Sequence, residues 1–373
     1  MPSVRFLHLP SVAGLALAAV LSAAPAQAGL SIVFNDIGTT PMSPLQRGAF
    51  QAAGNYWSGL LRDNVAVYID IGFANLPSHV LGSTDATFTE ASYTAVRSQL
   101  ALDATSALDS NAVAHLQAGP ALVFQATQGD LSTRLDNDGS VNNSRLVLTT
   151  ANAKALGLPT HTSLGAADAT ILFANYFAST FAYSRDGQGQ VPPGQTDFIT
   201  VAEHEIGHAL GFISGLDDID YCAGPNNNCQ LPDTVGRFET GAWYQPLDLF
   251  RYSAVGLLDL RVGSATYFSV DGGASAITSF STGAFHGDGS QASHFGTGQL
   301  NLMRPFVGTG QSYDASARDL AAMDAIGWDL AAAVPEPASL ALLSAGLALL
   351  AWTARRRPAH APAGQAPGAI LRP

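Results

Sequence analysis

The stretch "VAEHEIGHALGF" (residues 201–212) constrains the fold of this 373-residue chain more than any other. His204 and His208 are four apart, so on a helix their rings leave one face a turn apart and can reach the same metal ion. Glu205 stands beside them, where a general base for water at that ion belongs. Ile199, Ile206 and Leu210 give the predicted helix an apolar back, and Gly207 leaves its metal face uncrowded. Thr196 or Asp197 can cap its start, and Gly211 suits a left-handed end. A catalytic zinc takes three protein ligands plus water. The third ligand must therefore come from elsewhere in the chain.

Ser214, where a longer histidine motif would place that ligand, has only a hydroxyl to offer. His8 and His360 lie near the ends of the chain, and His79, His115 and His161 precede the motif in separate segments. Downstream stand His286 and His294, with Asp217, Asp218, Asp220 and Glu239 as acidic candidates. On residue chemistry alone these alternatives stay open.

The two ends of the chain read as addresses. Arg5, an apolar run from Val12 to Leu21 and Ala26-Gln27-Ala28 predict a secretory signal peptide over residues 1–28, cut after Ala28 by signal peptidase. Near the other end, Val334-Pro335-Glu336-Pro337 precedes an uncharged apolar segment, Ala338 to Ala354, and then Arg355-Arg356-Arg357. This order resembles the PEP-CTERM sorting signal of Gram-negative envelope proteins (331–357). The resemblance implies processing by an exosortase, with the helix as a transient inner-membrane anchor and 358–373 as a cytoplasmic tail. A permanent single-span anchor is the alternative. The expected location is export across the inner membrane to the envelope or exterior.

Five of the 17 basic residues lie outside 29–336 and all 29 acids lie inside, leaving 12 against 29, a net charge of −17. Nucleic acid is excluded as a partner on that balance. Six residues separate Cys222 from Cys229 across a Gly-Pro-Asn turn, and in an exported chain a local disulfide is the default. No cysteine precedes the histidine motif, so a cysteine-switch propeptide is excluded.

Between the signal peptide and the motif, "GLSIVF" and "NVAVYIDIGF" read as strands flanking the helix "SPLQRGAFQAAGNYWSGLL", with Phe50, Trp57, Leu60 and Leu61 on or near one face. A second helix is expected over "TFTEASYTAVRSQLALDAT", capped by Thr87 or Thr89. Asp136, Asn137, Asp138 and Gly139 form a turn that reads as a plain hairpin, with calcium as the alternative. Ser316 and Asp319 have capping-box spacing before a last helix that ends at Gly327.

"ASHFGTGQLNLMRP" (292–305), read after the histidine motif, resembles the leishmanolysin-like metzincins. In that family His-Glu-x-x-His-x-x-Gly-Phe is followed by a long insertion, a third zinc histidine and the methionine of a Met-turn. The likeness runs through His204, Glu205, His208, Gly211, Phe212, His294 and Met303, over residues 168–330. It implies zinc held by His204, His208 and His294, Glu205 as catalytic base and Met303 as the floor beneath the metal. His286 then reads as a loop histidine, and Met303 as plain core is the alternative. The implied fold is α+β and zincin-like: a mixed twisted sheet with a backing helix, the active-site helix, and a loop-rich C-terminal subdomain with a terminal helix. In such a fold "ATILFANYF" (169–177) would be the edge strand that aligns peptide, or else a core strand. Tyr252 and Tyr313 are candidates to stabilise an oxyanion. The chain lacks the leishmanolysin cysteine framework, and the closer likeness is to bacterial PEP-CTERM proteins with an "HEIGHALGF" helix, so no substrate preference carries over.

The expected activity is an exported zinc metalloendopeptidase with one catalytic domain (29–330) and a protein or peptide substrate. A non-catalytic zincin-fold envelope or matrix protein is the rival, and a hydrolase of non-peptide polymers the third reading.

Overall fold

The computed structural model describes residues 29–39, 41–225, 228–231 and 236–331. The expected signal peptide, apolar sorting helix and tail lie outside the described residues. Among the described residues no helix is long and apolar enough to cross a membrane.

The chain opens with β1 (Ser31–Asp36), α1 (Pro44–Leu60) and β2 (Ala66–Ala74), and the two strands pair in parallel across the helix. Ser43 caps α1 through a reciprocal box with Gln46, a pairing that satisfies two otherwise free donors. Val67, Ile69 and Ile71 alternate into the core, the period of a strand with one buried face. Next come β3 (Gly82–Ala86), β4 (Phe88–Ser92), α2 (Tyr93–Asp103), α3 (Ala107–Ala114), β5 (Phe124–Thr127) and β6 (Thr133–Asp136). They are followed by α4 (Val141–Ser144), β7 (Arg145–Thr149), α5 (Thr150–Ala155) and β8 (Ala169–Ala174).

One sequence expectation needs correcting, and one open pair of readings is decided. The helix expected from residue 87 starts at Tyr93 under a Ser92 cap, because Phe88–Ser92 is a strand paired antiparallel with β7. "ATILFANYF" supplies β8, which lies between β2 and β3 in the order β1-β2-β8-β3 and so is an inner strand. The edge belongs to β3, antiparallel to β8.

β9 (Phe181–Ala182) and β10 (Thr196–Asp197) form a short parallel pair that leads into α6 (Phe198–Ala209), the helix of the histidine motif, and then α7 (Leu216–Cys222). A disulfide joins Cys222 to Cys229. β11 (Arg251–Ala254), β12 (Leu257–Leu260), β13 (Tyr267–Phe268) and β14 (Thr278–Ser279) join β5 and β6 in a second sheet, ordered β14-β13-β11-β12-β5-β6, before α8 (Ala317–Ala325) closes the body. The α+β expectation holds at this level: several sheets, with helices packed against them.

The core locks α6 from behind. Trp57 of α1 is fully buried and its Nε1 donates to the Glu203 carbonyl at 2.7 Å, while Trp328 Nε1 donates to the Leu210 carbonyl at 2.7 Å. Phe50 meets Phe173 and Phe198 edge-on, with centroids 5.2 and 5.0 Å apart, tying α1, the first sheet and the start of α6 together. Trp57→Ala removes both the packing and the tether. A loss of about 3–5 kcal/mol is expected, read as a lower urea midpoint.

Candidate metal centre

The ends of α6 are set by local chemistry. Asp197 accepts hydrogen bonds from Thr200 N at 3.3 Å and Thr200 Oγ1 at 2.7 Å, and Arg185 braces the same carboxylate. At the far end Gly211 adopts φ +112°, where a Cβ would also press to 2.9 Å from Asn152. That turn brings the Phe212 carbonyl back to 2.7 Å from His208 Nδ1.

Three histidines converge on one point. Nε2 of His204 lies 3.0 Å from Nε2 of His208 and 3.2 Å from that of His294, and the latter two are 3.3 Å apart. Each Nδ1 faces a backbone carbonyl: Leu302 at 2.8 Å for His204, Phe212 at 2.7 Å for His208 and Gln291 at 3.2 Å for His294. A carbonyl only accepts, so each Nδ1 carries the proton and each Nε2 presents a lone pair. Burial pushes the His208 imidazole down to about 3, helped by His204, and holds His294 well below its ordinary value, helped by His208 and His204. Three lone pairs facing one another can hold a cation between them. Nitrogens 2.0–2.1 Å from a tetrahedral zinc stand about 3.3 Å apart, so the donor set fits that ion.

All the other candidates except Asp218 are committed elsewhere. His286 Nδ1 faces Asp220 Oδ1 at 2.9 Å, and Asp220 also accepts the backbone N–H groups of Phe285 and His286. Ser214 Oγ donates to Asp248 Oδ1 at 2.6 Å. Asp217 accepts from Ala292 N at 2.6 Å and Ser293 N at 3.3 Å, fixing the loop that delivers His294. Burial raises the Asp217 carboxyl to about 7. Asp218 lines the cleft as an exposed carboxylate. Glu239 converges with Asp136 and Asp138 beside the 136–139 turn, where the Arg134 guanidinium reaches all three carboxylates.

Met303 is fully buried under α6, and a Cβ added at Gly207 would come within 2.6 Å of its Sδ. Gly207 is thus where the helix backbone admits the methionine. Asp319 accepts from Leu302 N and Met303 N, each at 3.0 Å, and its Oδ2 also takes the Ser316 N–H in the α8 cap. One carboxylate caps α8 and holds the turn whose Leu302 carbonyl orients His204.

Glu205 is sealed between α6 and β3. Thr84 Oγ1 sits 2.7 Å from Glu205 Oε2, and a Cβ on Gly82 would lie 2.9 Å from Oε1. Burial raises the Glu205 carboxyl, while His204 and Thr84 pull the other way. Gly82 and Thr84 escaped sequence reasoning, because "LGSTDA" is small and polar and has no apolar alternation to mark a strand. They belong to the wall of a cleft of about 690 Å³, whose lining also includes Arg304, Phe306 and Tyr313. Tyr313 OH lies in that wall, 3.1 Å from Arg304 Nη1. Tyr252 is buried in β11, away from the cleft lining, and drops out as an oxyanion partner.

Comparison with protein families matches residues 333–357 to the PEP-CTERM protein-sorting motif. The chain is thus a secreted protein with a C-terminal sorting signal, of the kind recognised by an exosortase-type processing enzyme. Compared with curated proteins and with solved structures, it shows no match.

Proposed function

We propose that the chain is an exported zinc metalloendopeptidase of zincin type, with zinc held by His204, His208 and His294. The observation that carries the reading is the convergence of three Nε2 lone pairs within 3.3 Å of one another beside a buried carboxylate. Bound zinc supplies Lewis acidity, polarising a peptide carbonyl and acidifying water. Glu205, one residue from His204 and steadied by Thr84, takes the water's proton and passes it to the leaving amine. Met303 and Asp319 keep the ligand cage from shifting, and Asp217 holds the His294 loop.

The substrate side follows from the sheet. β3 pairs with β8 on one edge only, and residues 82–86 line the cleft. An extended peptide can add to the free edge through backbone hydrogen bonds, which favours a polypeptide over other polymers.

The test is zinc content and hydrolysis of casein and gelatin by the purified protein. One zinc per chain is expected, with hydrolysis lost to phenanthroline and restored by added zinc. Stoichiometric zinc with no hydrolysis of either substrate would favour the non-catalytic rival.

A further inference from the structure

The cleft wall carries a cation that the proposed chemistry leaves unused. Arg304 follows Met303 directly, and among the described residues that line the cleft it is the one lysine or arginine. Its guanidinium lies over the rings of Phe306 and Tyr313, 5.1 and 4.9 Å from their centroids. Such contacts fix the plane of the group and leave its charge in place.

A guanidinium has one hydrogen on Nε and two on each Nη. Here Nη1 gives one to Tyr313 OH at 3.1 Å, and Nη2 gives one to the Thr297 carbonyl at 3.4 Å. Nε is sealed from water with no acceptor, so that edge is closed to a ligand. Each Nη keeps a second hydrogen. Among the described residues no carboxylate pairs with Arg304, although Asp85, Asp217 and Asp218 share the lining. Arg185 and Arg261 differ, since each rests on a buried carboxylate, Asp197 and Asp259. The place of Arg304 is also fixed relative to the histidine centre. On one side Asp319 holds Met303 N at 3.0 Å. On the other, Tyr313 N donates to Thr200 Oγ1 of α6 at 3.1 Å, and Tyr313 OH donates to Gln311 Oε1 at 2.7 Å. The ring beneath the guanidinium is therefore bonded to the helix that carries His204.

We propose that Arg304 is the specificity residue of the cleft and takes a carboxylate of the bound polypeptide through its remaining Nη hydrogens. An oriented guanidinium with no acid of its own suits a planar anion, which it binds by charge-assisted hydrogen bonds. The carboxylate comes from an Asp or Glu side chain or from a free C-terminus, and the chemistry is the same for both. The inference deepens the peptidase reading and rests on it for the ligand being a polypeptide.

The experiment reads binding by fluorescence anisotropy in the zinc-loaded Glu205→Gln protein, so that bound peptide stays whole. The probes are labelled, C-terminally amidated neutral peptides in which one position at a time is Glu, Gln, Asp or Asn, with a free-acid series for the C-terminus. At one position, or at the free C-terminus, the acid should bind about 10- to 100-fold tighter than its amide. Adding Arg304→Gln, which keeps an N–H for Tyr313 OH, should abolish that preference while zinc content and Tm stay unchanged. Arg304→Lys should retain part of it, as a point charge without the fork, and Arg304→Glu should turn the preference toward Lys. No difference between acid and amide anywhere would overturn the proposal. So would a difference that survives Arg304→Gln. The same peptides are then offered to the protein with Glu205 in place. Acid-selective binding without hydrolysis there would sink the peptidase reading and leave the role of Arg304 standing.

Discussion

His294→Ala should yield a folded protein that neither keeps zinc nor cuts casein. The ring supplies one of three converging lone pairs, and its removal leaves a two-histidine site that water must complete. Loss of an outer partner of a metal ligand costs about 10- to 100-fold in affinity, and loss of the ligand itself should cost more. The fold should survive, because Asp217 holds Ala292 and Ser293 while Phe295 N bonds the Met303 carbonyl at 2.8 Å, both without the imidazole. His286→Ala is the matched control. It should keep zinc and activity and lose only about 1–2 kcal/mol of stability, as Asp220 forfeits a donor. Metal analysis of the two variants side by side decides the ligand. Zinc lost with His286 and kept without His294 would overturn the assignment.

Glu205→Gln should separate metal from chemistry. The amide fills the same space, can still accept from Thr84 Oγ1, and leaves the three imidazoles untouched, so zinc content should match the wild type. Without a group to carry the proton from water to amine, hydrolysis should fall by about 10²–10⁴-fold, the usual worth of a positioned general base. Peptide turnover measured against bound zinc gives the answer. Undiminished turnover at full occupancy would remove Glu205 from the mechanism.

Sequence reasoning reached the local parts of this molecule and missed those that depend on neighbours. The helix of His204 and His208, its Asp197 cap and its Gly211 end were legible, because spacing, capping and positive φ are properties of a few adjacent residues. His294 could be named only through a family resemblance, since nothing in the chain between His208 and His294, 86 positions apart, states what folds back onto what. β3 was invisible for a different reason. Its role comes from lying at the sheet edge against Glu205, and "LGSTDA" has no apolar alternation to advertise it. β8 was left open between edge and core, and its place between β2 and β3 decides for the core, as an apolar run of that kind suits a strand covered on both faces. Asp319 was read as a helix cap, and only the structure adds its grip on Leu302 and Met303.

The pairing of β12 with β5 in the second sheet bears on the order in which this protein can mature. The stretch between the second and third histidines is no detachable insert, because its strands complete a sheet begun before the motif. His204 takes its orientation from a carbonyl at Leu302, which Asp319 of the last helix holds in place. A chain that emerges amino end first therefore exposes two histidines long before the carboxyl end arrives to complete the cage. Convergence of the three histidines falls at the close of folding, when the region next to the sorting motif has docked. On the proposed reading, hydrolysis would have to wait until the whole body has formed.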